Sequence, residues 1–306
     1  MANNRRTVFF LPCILAWAAL AQTQDFSKVE IKTVSISDGL YVLTGVGGNV
    51  ANIAVSAGSD GILIVDNEFA PLYGKVMDAL GNISKQPLRF AINTHWHGDT
   101  IGCNELLKKA GVVIVASDNA RKRLIAQRTN PVSDPRNPPL PDGYLPNVTF
   151  SDKMTFHFNG EDIELTHIGP GHTDADSIIY FRHANVMHTG DLFDTGRFPI
   201  IILDHGGSAN GLIAAQEKIM KMVNADTKIV PGKGGPLASV KDIQEQHDMI
   251  VTVRDRVQSG IRAGKTLDQI LASNLTAEWN EKLKIGRPPS DFVTLIYQEL
   301  TGKAHG

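Results

Sequence analysis

Six residues constrain this chain more than any others: His95-Trp96-His97-Gly98-Asp99-Thr100. They lie just beyond an apolar run, Leu88-Arg89-Phe90-Ala91-Ile92, whose shortness and apolar content read as a buried strand. Two imidazoles two positions apart, with a carboxylate two further on, form a compact donor set of the kind a zinc ion takes. Donors at a strand end are held by a rigid sheet yet stay open to solvent, as a catalytic metal requires. The pattern also arises by chance on ordinary surfaces, so its meaning depends on whether further donors follow.

Further donors do follow. Gly169-Pro170-Gly171-His172-Thr173 sets a histidine in a glycine turn after an apparent strand at residues 163–167, and glycine there lets the backbone bend so that the imidazole is aimed. Thr189-Gly190-Asp191-Leu192 presents a carboxylate after a short strand at residues 186–188. Three histidines and two carboxylates thus stand at strand ends or in glycine turns.

The segments between these motifs point to two sheets. Residues 41–43, 50–55 and 62–65 are short, rich in branched side chains and separated by glycines, the signature of strands. Pro71 suits the first turn of a helix that Gly81 closes. Helices are expected at residues 105–110 and 118–127, with a buried strand at 112–115 between them. Asn159-Gly160, between strands at 154–158 and 162–167, is a two-residue hairpin turn. Strands at 178–181 and 186–188, a helix at 212–223 and a strand at 228–230 complete the pattern. Strands followed by helix, twice over, imply two sheets packed face to face with helices outside.

Residues 128–148 hold Pro131, Pro135, Pro138, Pro139, Pro141 and Pro146. This is a long loop, either a binding loop or a surface excursion. The tail, residues 239–306, is helical. Ile243, Ile250, Val253, Val257 and Ile261 recur at helical spacing, and Gly264 ends the segment. Thr266-Leu267-Asp268-Gln269 forms a capping box, and Ser290 is a candidate cap for the last helix. These helices are packing elements or the surface of a homodimer.

At the N-terminus, Arg5 and Arg6 precede an apolar stretch at residues 8–20, too short to span a membrane comfortably, and Ala19-Leu20-Ala21 offers a cleavage site. Residues 1–21 are therefore read as an export signal, and the mature protein as periplasmic or secreted. Cys13 leaves with that segment, so Cys103 is the one mature cysteine and no intrachain disulfide forms. It reads as a small buried thiol, with a zinc thiolate as the alternative. The formal net charge of the 306 residues is -2 and no basic run occurs, so neither nucleic acid nor an anionic membrane is the expected partner; a small-molecule substrate is.

The successive motifs His95-Trp96-His97-Gly98-Asp99, Gly171-His172-Thr173 and Thr189-Gly190-Asp191 resemble those of the metallo-β-lactamase superfamily, in the right order over about residues 28–235. The resemblance implies an αββα four-layer sandwich over residues 22–240, followed by a helical extension over 241–306. It implies a zinc site with His95, His97 and His172 as first-site ligands, Asp99 as a second-site ligand and Asp191 as a bridging one. Two positions depart from the pattern. Thr100 and Lys233, the latter in Pro231-Gly232-Lys233-Gly234, stand where the family often has second-site histidines. One tight zinc and a weak or absent second ion follow. Lys233 then pairs with Asp99 and Asp191 in the second ion's place, grips a substrate carboxylate, or points into solvent.

Three neutral histidines leave zinc its charge and an open position, so its bound water reaches a pKa near ~7 and attacks a carbonyl as hydroxide. Asp99 orients that hydroxide or relays its proton, and Lys233 joins it as a candidate catalytic residue. His157, His167, His183 and His188 read as structural, with His167 and His188 close enough in sequence to brace ligands. His205 is a candidate replacement ligand, and Trp96 a core or pocket-wall aromatic. The expected activity is that of an exported zinc hydrolase of amides or esters, with β-lactams foremost. Alternatives are a lactonase or thioesterase, a non-catalytic metal-binding accessory protein, and an iron dioxygenase of the same superfamily.

Overall fold

The computed structural model describes residues 25–129 and 140–302; the expected signal at 1–21 and the proline-rich centre of the 128–148 stretch lie outside the described residues. Among those described, the first sheet has β1 (Glu30–Ser37), β2 (Leu40–Val46), β3 (Asn52–Gly58), β4 (Gly61–Val65), β5 (Leu88–Ile92), β6 (Val113–Ser117) and β7 (Val148–Phe150), hydrogen-bonded in that order. Neighbours from β1 to β4 are antiparallel, and those from β4 to β7 are parallel. The second sheet runs from β8 (Lys153–Phe158) through β9 (Glu161–His167), β10 (Ser177–Phe181), β11 (Val186–His188) and β12 (Lys228–Val230) to β13 (Ala238–Ser239). Only β11 and β12 pair in parallel there.

Successive side chains of a strand point to opposite faces, so a strand that is apolar at every position must be covered on both. That is what sorts the layers. In β4, Leu63 and Val65 enter the core between the sheets, while Ile62 and Ile64 face outward onto Val76 and Leu80 of α1 (Tyr73–Ile83). In β10, Ile179 and Phe181 point to the same inter-sheet core, while Ile178 and Tyr180 face the helices beyond. Truncating a fully buried member such as Leu63 to Ala costs about 2–5 kcal/mol of stability. The chain is therefore the expected four-layer αββα sandwich.

Helices α2 (Gly98–Ile101), α3 (Asn104–Lys109) and α4 (Asp118–Thr129) follow β5 and β6, and α5 (Ala209–Met222) joins β11 to β12. The tail forms α6 (Val240–Arg262), α7 (Leu267–Leu271), α8 (Ala277–Asn280) and α9 (Pro289–Thr301). Ile243, Ile250, Val253 and Val257 of α6 and Phe292, Val293 and Ile296 of α9 share one core with α5 and the outer face of the second sheet. The tail thus packs as outer layer of the sandwich, with no break in that core at residue 240.

Local signals fared unevenly. Asn159 and Gly160 both take the left-handed conformation that a two-residue hairpin requires (φ 55 and 72). The capping box at Thr266 forms, and Ser239 makes another with Asp242. Gly81 does not end α1, which continues to Ile83. Ser290 does not cap α9: Pro288 occupies the cap position and Ser290 lies in the first turn, because Pro289, with its φ preset for a helix and no N–H of its own, starts the helix one residue earlier. The short strand β7, which begins at the last residue of the stretch read as loop, pairs with β6.

Candidate metal centre

The loop after β5 is clamped before it delivers any ligand. Asp66, at the end of β4, accepts from Thr94 N (2.8 Å) and from Thr94 Oγ1 (2.9 Å). Asn93 and Asn104 exchange side-chain hydrogen bonds, and Asn67 Nδ2 donates to Asn104 Oδ1 at 2.7 Å. Thr100 is fully buried, and its hydroxyl donates to the carbonyl of His97 at 2.7 Å. Thr100 therefore braces the ligand loop.

The ring protons follow from these bonds. Thr94 Oγ1 gives its proton to Asp66, so it accepts from His95 Nδ1 (3.1 Å), which leaves His95 Nε2 bare. His172 Nδ1 donates to the carbonyl of Ile200, which turns His172 Nε2 toward His97. The ring centroids of His95, His97 and His172 form a triangle with sides of 4.8, 4.8 and 4.7 Å, each ring nearly perpendicular to the others. One ring nitrogen from each lies within 4.8 Å of the other two. Burial holds the pKa of His95 and of His97 well below the usual histidine value, so both rings are neutral donors at neutral pH.

The remaining segments reach the same place from the other sheet. Asp191 leaves the end of β11 with Oδ2 3.4 Å from His172 Nε2 and 3.9 Å from His95 Nε2. His188, fully buried, donates from Nε2 to the carbonyl of Asn52 (3.1 Å) and accepts from Gly190 N (3.1 Å), which fixes the turn carrying Asp191. His167 bonds the carbonyl of Asp176 at 2.9 Å, His157 bonds Asp162 of its own hairpin, and His183 bonds the carbonyl of Gly160 in the neighbouring β8–β9 turn. All four fit their structural reading. Gly171 and Gly232 are required for close approach rather than for bending. A Cβ on Gly171 would lie 2.3 Å from Leu192 Cδ2, and one on Gly232 would lie 2.3 Å from Asp191 Oδ1.

Lys233 follows β12 and is 4% exposed. Its ammonium contacts Asp191 Oδ2 and lies 2.7 Å from Asp99 Oδ2. Its backbone is held too: its N–H donates to Asp194 Oδ1 (2.8 Å), and it bridges to Ala51. Burial works against the charge, but Asp191 and Asp99 outweigh it and raise the lysine pKa. Burial likewise opposes ionisation of Asp191, and Lys233 and the histidines reverse it, lowering its pKa. With both carboxylates engaged, Lys233 neither points into solvent nor has its charge free for a substrate carboxylate.

These residues suit a metal ion. His95 Nε2 and Asp191 Oδ1 are buried with no hydrogen-bond partner, an arrangement costing about 1–3 kcal/mol per group unless something else satisfies it. A cation among the three rings would satisfy His95 Nε2, and neutral imidazole with carboxylate is a zinc donor set.

A family model described as the metallo-beta-lactamase superfamily matches residues 71–233, just over half of the 306-residue chain. The chain belongs to the metallo-beta-lactamase superfamily. Its members are generally hydrolases. Metallo-beta-lactamase type 2 of Bacteroides fragilis is 23% identical over 245 residues, which cover 75% of this chain and 90% of that protein. Atrochrysone carboxyl ACP thioesterase of Aspergillus fumigatus is 24% identical over 220 residues, 70% of this chain but only 45% of that protein. A solved metallo-beta-lactamase from Pontibacter korlensis superposes with a TM-score of 0.60 at 20% identity, covering 72% of this chain and 99% of its own. A double mutant of the sec-alkyl sulfatase PisA1 superposes with a TM-score of 0.67 at 17% identity, covering 90% of this chain and 51% of its own. These structural likenesses show the fold.

Within this superfamily fold, all five residues expected as ligands, and Lys233, lie in one cluster. The alternatives left open at Cys103 and His205 are decided. Cys103 stands apart from the histidines, packed beside α1 and α3, and burial pushes its thiol up to about 12; it is the small buried thiol. His205 is no ligand beside Asp191: its Nδ1 meets the far nitrogen of His97 at 2.7 Å. Trp96 is 7% exposed and packs both on Ile101 and Leu124 and, at 4.3 Å between centroids, on His205. Sequence reasoning missed Asp66, Thr94, Asp194 and Glu68. Glu68 is wholly buried, its Oε1 has no partner, and burial, then Asp99, raises its pKa. The only local signal for these was position: Asp66 and Glu68 end an apolar strand.

Proposed function

We propose that the chain is an exported hydrolase that works with a single zinc ion at His95, His97 and His172 and opens an amide or ester carbonyl, with β-lactams as the leading substrate class. The observation that carries the single-ion reading is Lys233. A buried ammonium already neutralises Asp99 and Asp191, the carboxylates a second ion would need, and zinc prefers about four donors. When bound, zinc supplies a Lewis acid and an acidified water. The chain's own residues do the rest. His95 and His172 would turn Nε2 toward the ion because Thr94 and Ile200 engage their Nδ1 atoms. Asp99 orients the attacking water or takes its proton, and passes it to the leaving group. Lys233, 2.7 Å from Asp99 Oδ2, fixes that carboxylate in place for the task. Asp191 lies near enough to His172 and His95 to act as a further weak ligand.

Ester or thioester hydrolysis is the second reading, favoured by the likeness to a thioesterase. The test is metal content of the purified protein followed by a panel of a chromogenic β-lactam, a lactone and a thioester. The proposal expects one zinc per chain and turnover of one class, abolished by chelation and restored by zinc. Retained metal with no turnover on any class supports a non-catalytic accessory role instead. Iron with oxygen uptake would overturn the hydrolase reading.

A further inference from the structure

We propose that His205 is a positioning residue that sets the tautomer of His97, and that the loop at residues 200–206 thereby controls two of the three ligand rings. The inference rests on the metal-binding reading above and goes beyond it to a residue that touches no metal.

The argument is one of geometry. His172 Nδ1 donates to the carbonyl of Ile200, which turns its Nε2 toward His97 Nδ1, 2.8 Å away. The nitrogens that face one another are those a cation would take, so Nε2 of His97 is left for the protein to hold, and His205 Nδ1 lies 2.7 Å from it. With a cation at Nδ1, His97 would carry its proton on Nε2 and donate it to His205 Nδ1, the kind of partner that orients a ligating imidazole.

The loop is built to hold this partner in place. Ile202 N donates to the carbonyl of His172 (3.1 Å), and Asp174 N donates to the carbonyl of His205 (3.1 Å). The His205 ring lies on Trp96, 4.3 Å between centroids. The same short loop thus offers Ile200 O to His172 and His205 Nδ1 to His97, while Thr94 serves His95.

The test separates the hydrogen bond from the packing. His205→Phe keeps a ring on Trp96 but removes the acceptor, whereas His205→Asn restores an acceptor at the position of Nδ1. Zn2+ and Co2+ affinities are measured by chelator competition on the full chain, with metal-free melting temperatures as the folding control. Loss of such a partner typically weakens binding by roughly 10–100-fold, so that loss is expected in His205→Phe, with recovery to within a few-fold in His205→Asn. In the Co2+ protein, the shifted Nε2–H proton resonance of His97 should persist in wild type and His205→Asn and exchange away in His205→Phe. Unchanged affinity in His205→Phe overturns the proposal, as does equal weakening in both variants, which would mark a packing role. Failure of the wild type to bind either metal overturns the metal-binding reading itself.

Discussion

Two halves of one site have solved the problem of buried charge in opposite ways. The histidine half gathers three rings, His95 and His97 held neutral by burial, and leaves His95 Nε2 without a partner. The other half gathers Asp99, Asp191 and Lys233 and closes on itself. A cation entering the first gains ligands and displaces nothing charged. A cation entering the second must first expel an ammonium already held by two carboxylates. The contrast teaches that the number of ions a site takes depends on which charges are already compensated, and that a change from imidazole to ammonium can convert a ligand into a stand-in for the metal.

Four experiments break or sharpen that contrast. The largest effect is expected from His172→Ala. A structural zinc site is worth about 10–16 kcal/mol over its ligands, so losing one should weaken zinc binding on the order of 100-fold or more in chelator competition; unchanged affinity would show that the ion sits elsewhere. Next is Lys233→Met, which leaves two buried carboxylates without their cation. Breaking a buried pair costs about 3–5 kcal/mol, read as a lower urea midpoint of the metal-free chain at neutral pH. A stability equal to wild type would mean the pair is not a compensated unit.

The third variant, Thr100→His with Lys233→His, supplies the two missing donors. Zinc content should rise from one to two ions per chain, and a content still at one would sink the idea that the ammonium is what keeps the second ion out. Thr100 also braces the His97 carbonyl, so the single Lys233→His variant is the necessary companion.

The fourth experiment separates the halves by pH. His95 and His97, and His188 with its pKa lowered by burial to about 4, bind fewer protons folded than unfolded. These three histidines therefore cost the metal-free chain stability as pH drops below about 6.5, by up to roughly 1.4 kcal/mol per unit each, while Asp176 and Asp194, whose pKa values burial raises to about 6 and about 7, contribute in the opposite sense over the same range. Asp191, whose pKa is lowered, contributes stability present above about 3.9 and lost only at still lower pH. Lys233, whose pKa is raised, contributes stability kept below about 10.4 and lost as pH climbs through its folded value. In His95→Gln the urea midpoint should fall less steeply with acid than in wild type between about pH 4 and 6.5, and an unchanged profile would show that the histidine half carries no such penalty.

Much of this was legible in the chain. Uninterrupted apolar runs such as Ile62-Leu63-Ile64-Val65 demand cover on both faces, which is the four-layer arrangement in embryo. Asn159-Gly160 announced its hairpin because two adjacent left-handed residues are tolerated by few other pairs. The positions of His95, His97, His172, Asp191 and Lys233 followed from motifs, since each motif is local and its residues are a few bonds apart.

What the chain alone could not reveal is which groups face one another. Nothing near His205 in sequence shows that its Nδ1 meets His97, 108 positions away. Nor do the neighbours of Lys233 show that its ammonium reaches back to Asp99. By itself the sequence determined the layers, the donors and the two departures at Thr100 and Lys233, because apolar periodicity and short motifs are local properties. The tertiary structure alone decided that Lys233 is compensated rather than free, that Thr100 braces a loop, and that His205 stands behind a ligand. Those outcomes depend on distances between segments of both sheets, which exist only once the two have packed.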